Sequence, residues 1–201
     1  MTSYALFHLK PKAGDKLFAL LFSCFNYKLI AIIACFVLLS GLTYQVGYAK
    51  QPSEYQLKAA FLYNVARMVD WPKADRKKPL TVCFIGEDPF GDALNSIKKK
   101  KVKKRSLRFM INITISEIAD CNILFVTQEA QNLLTNILPS IESQHILTMG
   151  DAPEFATQGG MVNLLKNGER IAIEINLKAV KASNIVISSR LLTLAKIVDD
   201  D

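Results

Sequence analysis

Histidine and cysteine are scarce in this chain, and most metal and nucleophile chemistry is excluded with them. Its 201 residues hold two His and four Cys. Beyond residue 49 only His145, Cys83 and Cys121 remain. A metal site built on paired His is therefore excluded, and two thiolates cannot make a four-Cys site. A Ser-His-Asp hydrolase would have to use His145, yet the chain has no Gly-x-Ser-x-Gly elbow. Walker and dinucleotide-binding loops are also missing. The turn from Gly86 to Gly91 stands where such loops sit, but it carries Glu87, Asp88 and Pro89. Two carboxylates repel anions, and proline removes a backbone donor. The turn reads as structural, and no cofactor is expected.

A strong excess of one charge is also lacking. The first 49 residues hold four Lys and one Asp, so the 25 basic and 18 acidic residues fall to 21 and 17 beyond them, a net of +4. That is not the footprint of a nucleic-acid binder. No linker or internal repeat divides the chain after residue 50.

The amino terminus is basic and then apolar. Lys10, Lys12, Lys16 and Lys28 precede the apolar run 29–39, and Gly47, Tyr48 and Ala49 follow. This is the order of a secretory signal peptide. The run falls short of the roughly 20 residues that span a bilayer. Residues 1–49 are expected to be a leader cut near Ala49, and residues 50–201 a single exported domain. Two other readings stand beside this one: an uncleaved anchor, and a lipoprotein signal with Cys35 as the lipid-bearing residue. Export leads to an oxidising compartment, where the pair Cys83 and Cys121 suggests one disulfide. Two buried free thiols are the alternative.

Periodicity beyond residue 50 alternates helix and strand. Ser53 and Gln56 form a capping box, and Leu57, Phe61, Val65 and Met68 give one apolar helical face. Strands are expected over 80–85, 107–113, 121–126 and 145–149. Asp88 is placed as a helix cap for 89–97, and a longer helix is expected over 129–141. The run 98–105, with seven basic residues in eight, reads as a solvated helix end and loop, or as a contact for anionic head groups or an acidic partner. A hairpin then joins 161–165 to 171–175 around Asn167 and Gly168. Asn176 caps a helix over 177–182, and Ser188 and Ser189 open a last helix over 190–197. The result is a three-layer α/β domain with a largely parallel sheet and an antiparallel hairpin near the C-terminal end.

Candidate binding residues are few. Arg170 and Glu174 share one face of a strand by the two-residue period, and Asn176 follows them. A carboxylate there needs a partner: Arg170, Arg190 or a ligand. Trp71, the one tryptophan, either closes the core behind the first helix or meets a ligand or partner. His145 reads as a satisfied structural residue. Nothing here brings together a general acid, a base and a nucleophile, so the chain is not expected to be an enzyme.

An ordered set of short motifs resembles the YfiR family of exported proteins. The set comprises Ala60, Phe61, Leu62, Tyr63 and Asn64 with Trp71 and Pro72; Cys83, Phe84, Ile85 and Gly86 with Asp88, Pro89, Phe90 and Gly91; and Cys121 with the strand 122–126. It continues with Phe155 and Gly159 to Val162, the stretch Arg170 to Asn176, and Ser188, Ser189, Arg190, Leu191 and Leu192 with Leu194 and Ala195. The resemblance implies a compact α/β protein of the periplasm that can dimerise and is not an enzyme. It implies binding to the periplasmic portion of an inner-membrane diguanylate cyclase, which is held inactive, so that cyclic di-GMP and biofilm growth fall. It implies a bridge between Cys83 and Cys121. A second cysteine pair found in some members is absent here. Glu174 matches a position near a proposed small-molecule site, which tilts the Arg170 to Asn176 strand toward a ligand role.

Overall fold

Ser53 starts the first helix by capping it. Its hydroxyl accepts from the Gln56 backbone N–H, and the Gln56 side chain accepts from the Ser53 N–H. Helix α1 then runs over Glu54–Arg67. The structure, a computed structural model, describes residues 51–71, 77–141 and 144–199. The expected leader and Pro72 lie outside the described residues.

The strands are β1 (Val69–Asp70), β2 (Leu80–Ile85), β3 (Lys101–Val102), β4 (Arg105–Met110), β5 (Ile123–Val126), β6 (Leu147–Gly150), β7 (Val162–Asn167), β8 (Arg170–Asn176), β9 (Val186–Ile187) and β10 (Lys196–Val198). Helices α2 (Asn95–Lys98), α3 (Leu134–Ser140), α4 (Leu177–Ala182) and α5 (Ser189–Leu192) lie between them. Eight strands form one sheet in the order β10-β8-β7-β6-β5-β2-β4-β3. Five of its pairings are parallel, and the β7–β8 and β3–β4 pairs are antiparallel. Strands β1 and β9 make a separate antiparallel pair. The α/β class, the parallel sheet and the C-terminal hairpin are as expected.

Both faces of the sheet are covered. Leu80, Val82 and Phe84 of β2 join Ile123 and Phe125 of β5 under Ala59, Leu62, Val65 and Ala66 of α1. The alternate residues Cys83, Ile85, Leu124 and Val126 pack on Ile118, Leu134, Ile137 and Phe155. Central parallel strands are apolar on both sides for this reason. Cys83 and Cys121 are joined by a disulfide within the second cluster, with Cα atoms 5.8 Å apart. Sheet, core clusters and disulfide all lie within residues 51–201, so this segment carries its own core.

Several elements differ from expectation, each for a tertiary reason. The stripe Leu57, Phe61, Val65 and Met68 is not the core face of α1. Only its Val65 is fully buried, and Ala59, Leu62 and Ala66 take the inner positions. The small residues let α1 approach the sheet closely. The expected helix over 129–141 begins as a 3₁₀ segment, Gln128–Leu133, and becomes α-helical only at Leu134. The last helix stops at Leu192, and Lys196–Val198 is a strand paired in parallel with β8. The strand expected over 107–113 runs over Arg105–Met110. The basic run is not simply a loop, because β3 and the start of β4 lie in it. The β7–β8 turn is centred on Gly168 and Glu169, since Asn167 pairs with Arg170. Gly168, at φ +60°, takes the first central position, as a type II′ turn requires.

Phe155 and Gly160 explain one motif physically. The Phe155 ring is fully buried, and a Cβ on Gly160 would lie 2.2 Å from it. Only glycine leaves room for the aromatic.

Candidate functional site

Phe61 and Met68, which α1 leaves half-buried, line a groove. Phe61, Asn64, Val65, Arg67 and Met68 form one wall. Ile173 of β8, Arg190 of α5 and Leu194 form the other, around a volume of about 400 Å³. The C-terminal segment is held there by Ser188, whose N–H donates to the Met68 carbonyl at 2.9 Å. The Ser188 hydroxyl also caps α5.

The C-terminal segment is unusually apolar for a surface. Val186 is 55% exposed, Leu194 63% and Ile197 42%. They are three of the five exposed large hydrophobics among the described residues, and all lie within twelve positions of sequence. Among the described residues, strand β10 is an edge of the sheet and pairs only with β8. An open edge beside exposed apolar side chains is a surface that adds a strand or a partner face.

The expected binding residues do not form one cluster. Arg190 lines the groove. Trp71 follows β1, packs half-buried on the core, and its indole N–H is buried with no hydrogen-bond partner among the described residues. Glu174 pairs with Lys196 at 3.0 Å across the β8–β10 edge, not with Arg170 or Arg190. Arg170 sits at the other end of β8 beside Gln51, Glu54 and Lys166. Asn176 is fully buried and structural. Its amide donates to the Ala156 carbonyl at 2.8 Å, and its oxygen caps α4 through the Ala179 N–H. His145, as read, bonds a backbone carbonyl, that of Ser183, at 2.8 Å.

A second cleft is lined by the turn after Gly86, which by sequence reads as structural and not as a ligand loop. The chain leaves β2 toward β4 on one side and later returns to place β5 on the other, so the strand order reverses between β2 and β5. Open α/β sheets bind ligands at the carboxyl ends of strands at such a point. Here Glu87, Asp88 and Pro89 after β2 face Thr127, Gln128 and Glu129 after β5, with Tyr55 of α1, around about 550 Å³. Both Asp88 oxygens are already engaged by the Phe90 and Gly91 N–H groups.

Behind Tyr55 lies a buried ion pair. Lys58 reaches Asp151 at 2.8 Å and Glu54 at 2.6 Å, and the Tyr55 hydroxyl donates to Asp151 at 3.1 Å. Burial, and then the Asp151 carboxylate, push the Tyr55 phenol above its ordinary value. The Lys58 hydrogen bond holds Glu54 below its ordinary value, against a smaller opposing effect of burial. No sequence signal marks Lys58, because the face that reads as apolar is Leu57, Phe61, Val65 and Met68, and the inner position of Lys58 beside Ala59 and Leu62 emerges only in the fold.

Comparison with known proteins decides the family. The YfiR/HmsC-like family model matches residues 55–196. The chain belongs to this family. YfiR/HmsC-like proteins are periplasmic regulators of cyclic di-GMP signalling, regulatory and not catalytic. Their role implies contact with a periplasmic domain of a membrane protein. No curated protein matches the chain. Among solved structures it is similar to the ABC domain in complex with L-Trp from Streptococcus pneumonia, at 11% identity and a TM-score of 0.48. That similarity covers 72% of this chain and 60% of the other. Among the described residues, no helix of this YfiR/HmsC-like chain is long and apolar enough to cross a membrane.

Proposed function

We propose that this chain is an exported repressor that binds the periplasmic portion of an inner-membrane diguanylate cyclase and holds the enzyme inactive. The observation that carries this reading is the apolar C-terminal segment, with Ile197 exposed on the edge strand β10 and Leu194 exposed just before it. Family membership supplies the kind of partner. Repression then follows by linkage. A protein that prefers the inactive cyclase shifts its population by the ratio of its affinities for the two states. Cyclic di-GMP falls, and biofilm growth with it. The leader over residues 1–49 delivers the domain to the periplasm.

Co-purification tests this directly. The tagged domain, recovered from solubilised membranes, is expected to carry a membrane protein with a cyclase domain. Recovery of a histidine kinase instead would favour a second reading, a small-ligand module reporting to another sensor. The cleft between β2 and β5 favours that second reading, because its position is where such sheets take ligands.

A further inference from the structure

The basic run 98–105 has no part in the groove or the cleft, yet its chemistry is concentrated. Lys98 ends α2, Lys99 and Lys100 follow, and Lys101 opens β3. Lys103 and Lys104 form the two-residue turn to β4, since Val102 pairs with Arg105. All six lysines are exposed, as is Arg108 on the outer side of β4. They occupy one end of the sheet, because β3 is its last strand.

Arg105 differs from the rest of the run. It is buried, and its guanidinium donates to the carbonyls of Lys78 and Pro79 and to the Asn122 side chain. Lys103 is held as well: its ammonium donates to the Val69 carbonyl at 2.8 Å and pairs with the Asp70 carboxylate. Two cations of the seven thus hold the fold, and the other five, Lys98, Lys99, Lys100, Lys101 and Lys104, are exposed.

Two further observations separate this edge from an ordinary solvated surface. Lys103 and Lys104 have φ of +48° and +74°. A two-residue turn with both central residues left-handed is of type I′, where Asn and Gly are favoured because a Cβ is costly. The chain places lysine at both positions, against local backbone preference. Such departures point toward function. Tyr63 of α1, moreover, lies among the cations: Lys100 stands 5.0 Å from its ring and Arg67 5.6 Å, and its hydroxyl donates to the Lys101 carbonyl. A tyrosine ringed by cations suits the boundary between water and lipid.

We infer that this edge docks on an anionic phospholipid bilayer. Lysine, not arginine, supplies all the exposed charge of the run. Lysine is a flexible, hydrated point charge, whereas arginine makes the planar, bidentate contacts of a defined protein site. A diffuse sheet of head-group phosphates matches the first. Docking would hold the domain at the membrane that carries its partner and raise its effective concentration there. That purpose rests on the repressor reading, but the binding does not, so it is tested with no partner protein present.

The test is co-sedimentation of residues 51–201, in oxidised form, with vesicles containing phosphatidylglycerol and with pure phosphatidylcholine vesicles. Binding is expected only to the anionic vesicles and is lost as salt rises. Removing four lysines together, K98Q/K99Q/K101Q/K104Q, is expected to weaken it by more than about a hundredfold, at about fivefold per charge. A second variant, K104G, places glycine at a left-handed position. It is expected to raise the melting temperature while weakening vesicle binding by about fivefold. Equal binding to both vesicle types, or an unchanged affinity in the fourfold variant, would overturn the proposal. Retention on polyglutamate without vesicle binding would overturn it in favour of an acidic protein partner.

Discussion

The Lys58 ammonium lies 2.8 Å from Asp151, with 3% of one side chain and 1% of the other exposed. The two residues stand 93 positions apart and tie α1 to the loop that follows β6. The other Asp151 oxygen is buried with no hydrogen-bond partner among the described residues, so its charge depends heavily on Lys58. Replacing Lys58 by Met leaves a carboxylate stranded in the core. The expected loss is about 3–5 kcal/mol. Replacing Asp151 by Leu in the same chain removes the stranded charge and recovers most of it. Denaturant midpoints of K58M and K58M/D151L measure both, and equal midpoints for the two would refute this account of the pair.

Acid should attack the same corner through Glu54. Its folded-state pKa is depressed below the ordinary value of 4.5, chiefly by the hydrogen bond from Lys58. A depressed carboxylate contributes stability above its unfolded pKa and loses it as pH falls through the folded value. Stability is therefore expected to decline below about pH 4.5. E54Q should be less stable at neutral pH and show a shallower acid limb. Melting temperatures across pH for both proteins check this, and parallel curves would contradict it.

The disulfide closes a loop of 38 residues. In the chain-entropy model that constraint contributes about 3–4 kcal/mol. Reduction under native conditions should lower the unfolding free energy by about that amount. The fold should persist, since Cys83 and Cys121 also sit among Ile118, Leu124 and Leu134 as small apolar groups. Chemical denaturation with and without reductant measures the difference, and no difference would remove the bridge as a source of stability.

Local chemistry made part of this architecture legible. Ser53, Asn176 and Ser188 each cap the helix that follows, as their residue types suggest. Strand β2 lies where its apolar run places it, and the disulfide joins the expected cysteines. What escaped the sequence depends on distant partners. Lys196 and Ile197 continue a helical pattern on paper, but parallel pairing with β8, opposite Glu174 and Ile175, makes them part of a strand. Phe61 and Met68 look like core residues, yet the smaller Ala59 and Ala66 win the inner face of α1, and the larger side chains line the groove. Glu174 needed a cation, and the sequence offered Arg170 and Arg190. The sheet supplies Lys196, brought opposite by a pairing that no local signal announces.

The central claim is that the C-terminal apolar face represses a membrane cyclase. Cyclic di-GMP, measured in a strain deleted for this chain and complemented with either the wild type or L194D/I197D, tests it most directly. Both residues are exposed, so the substitutions should leave the fold intact. Deletion is predicted to raise cyclic di-GMP, the wild type to lower it again, and the folded variant to fail. A level unmoved by deletion, or fully restored by L194D/I197D, would contradict the account.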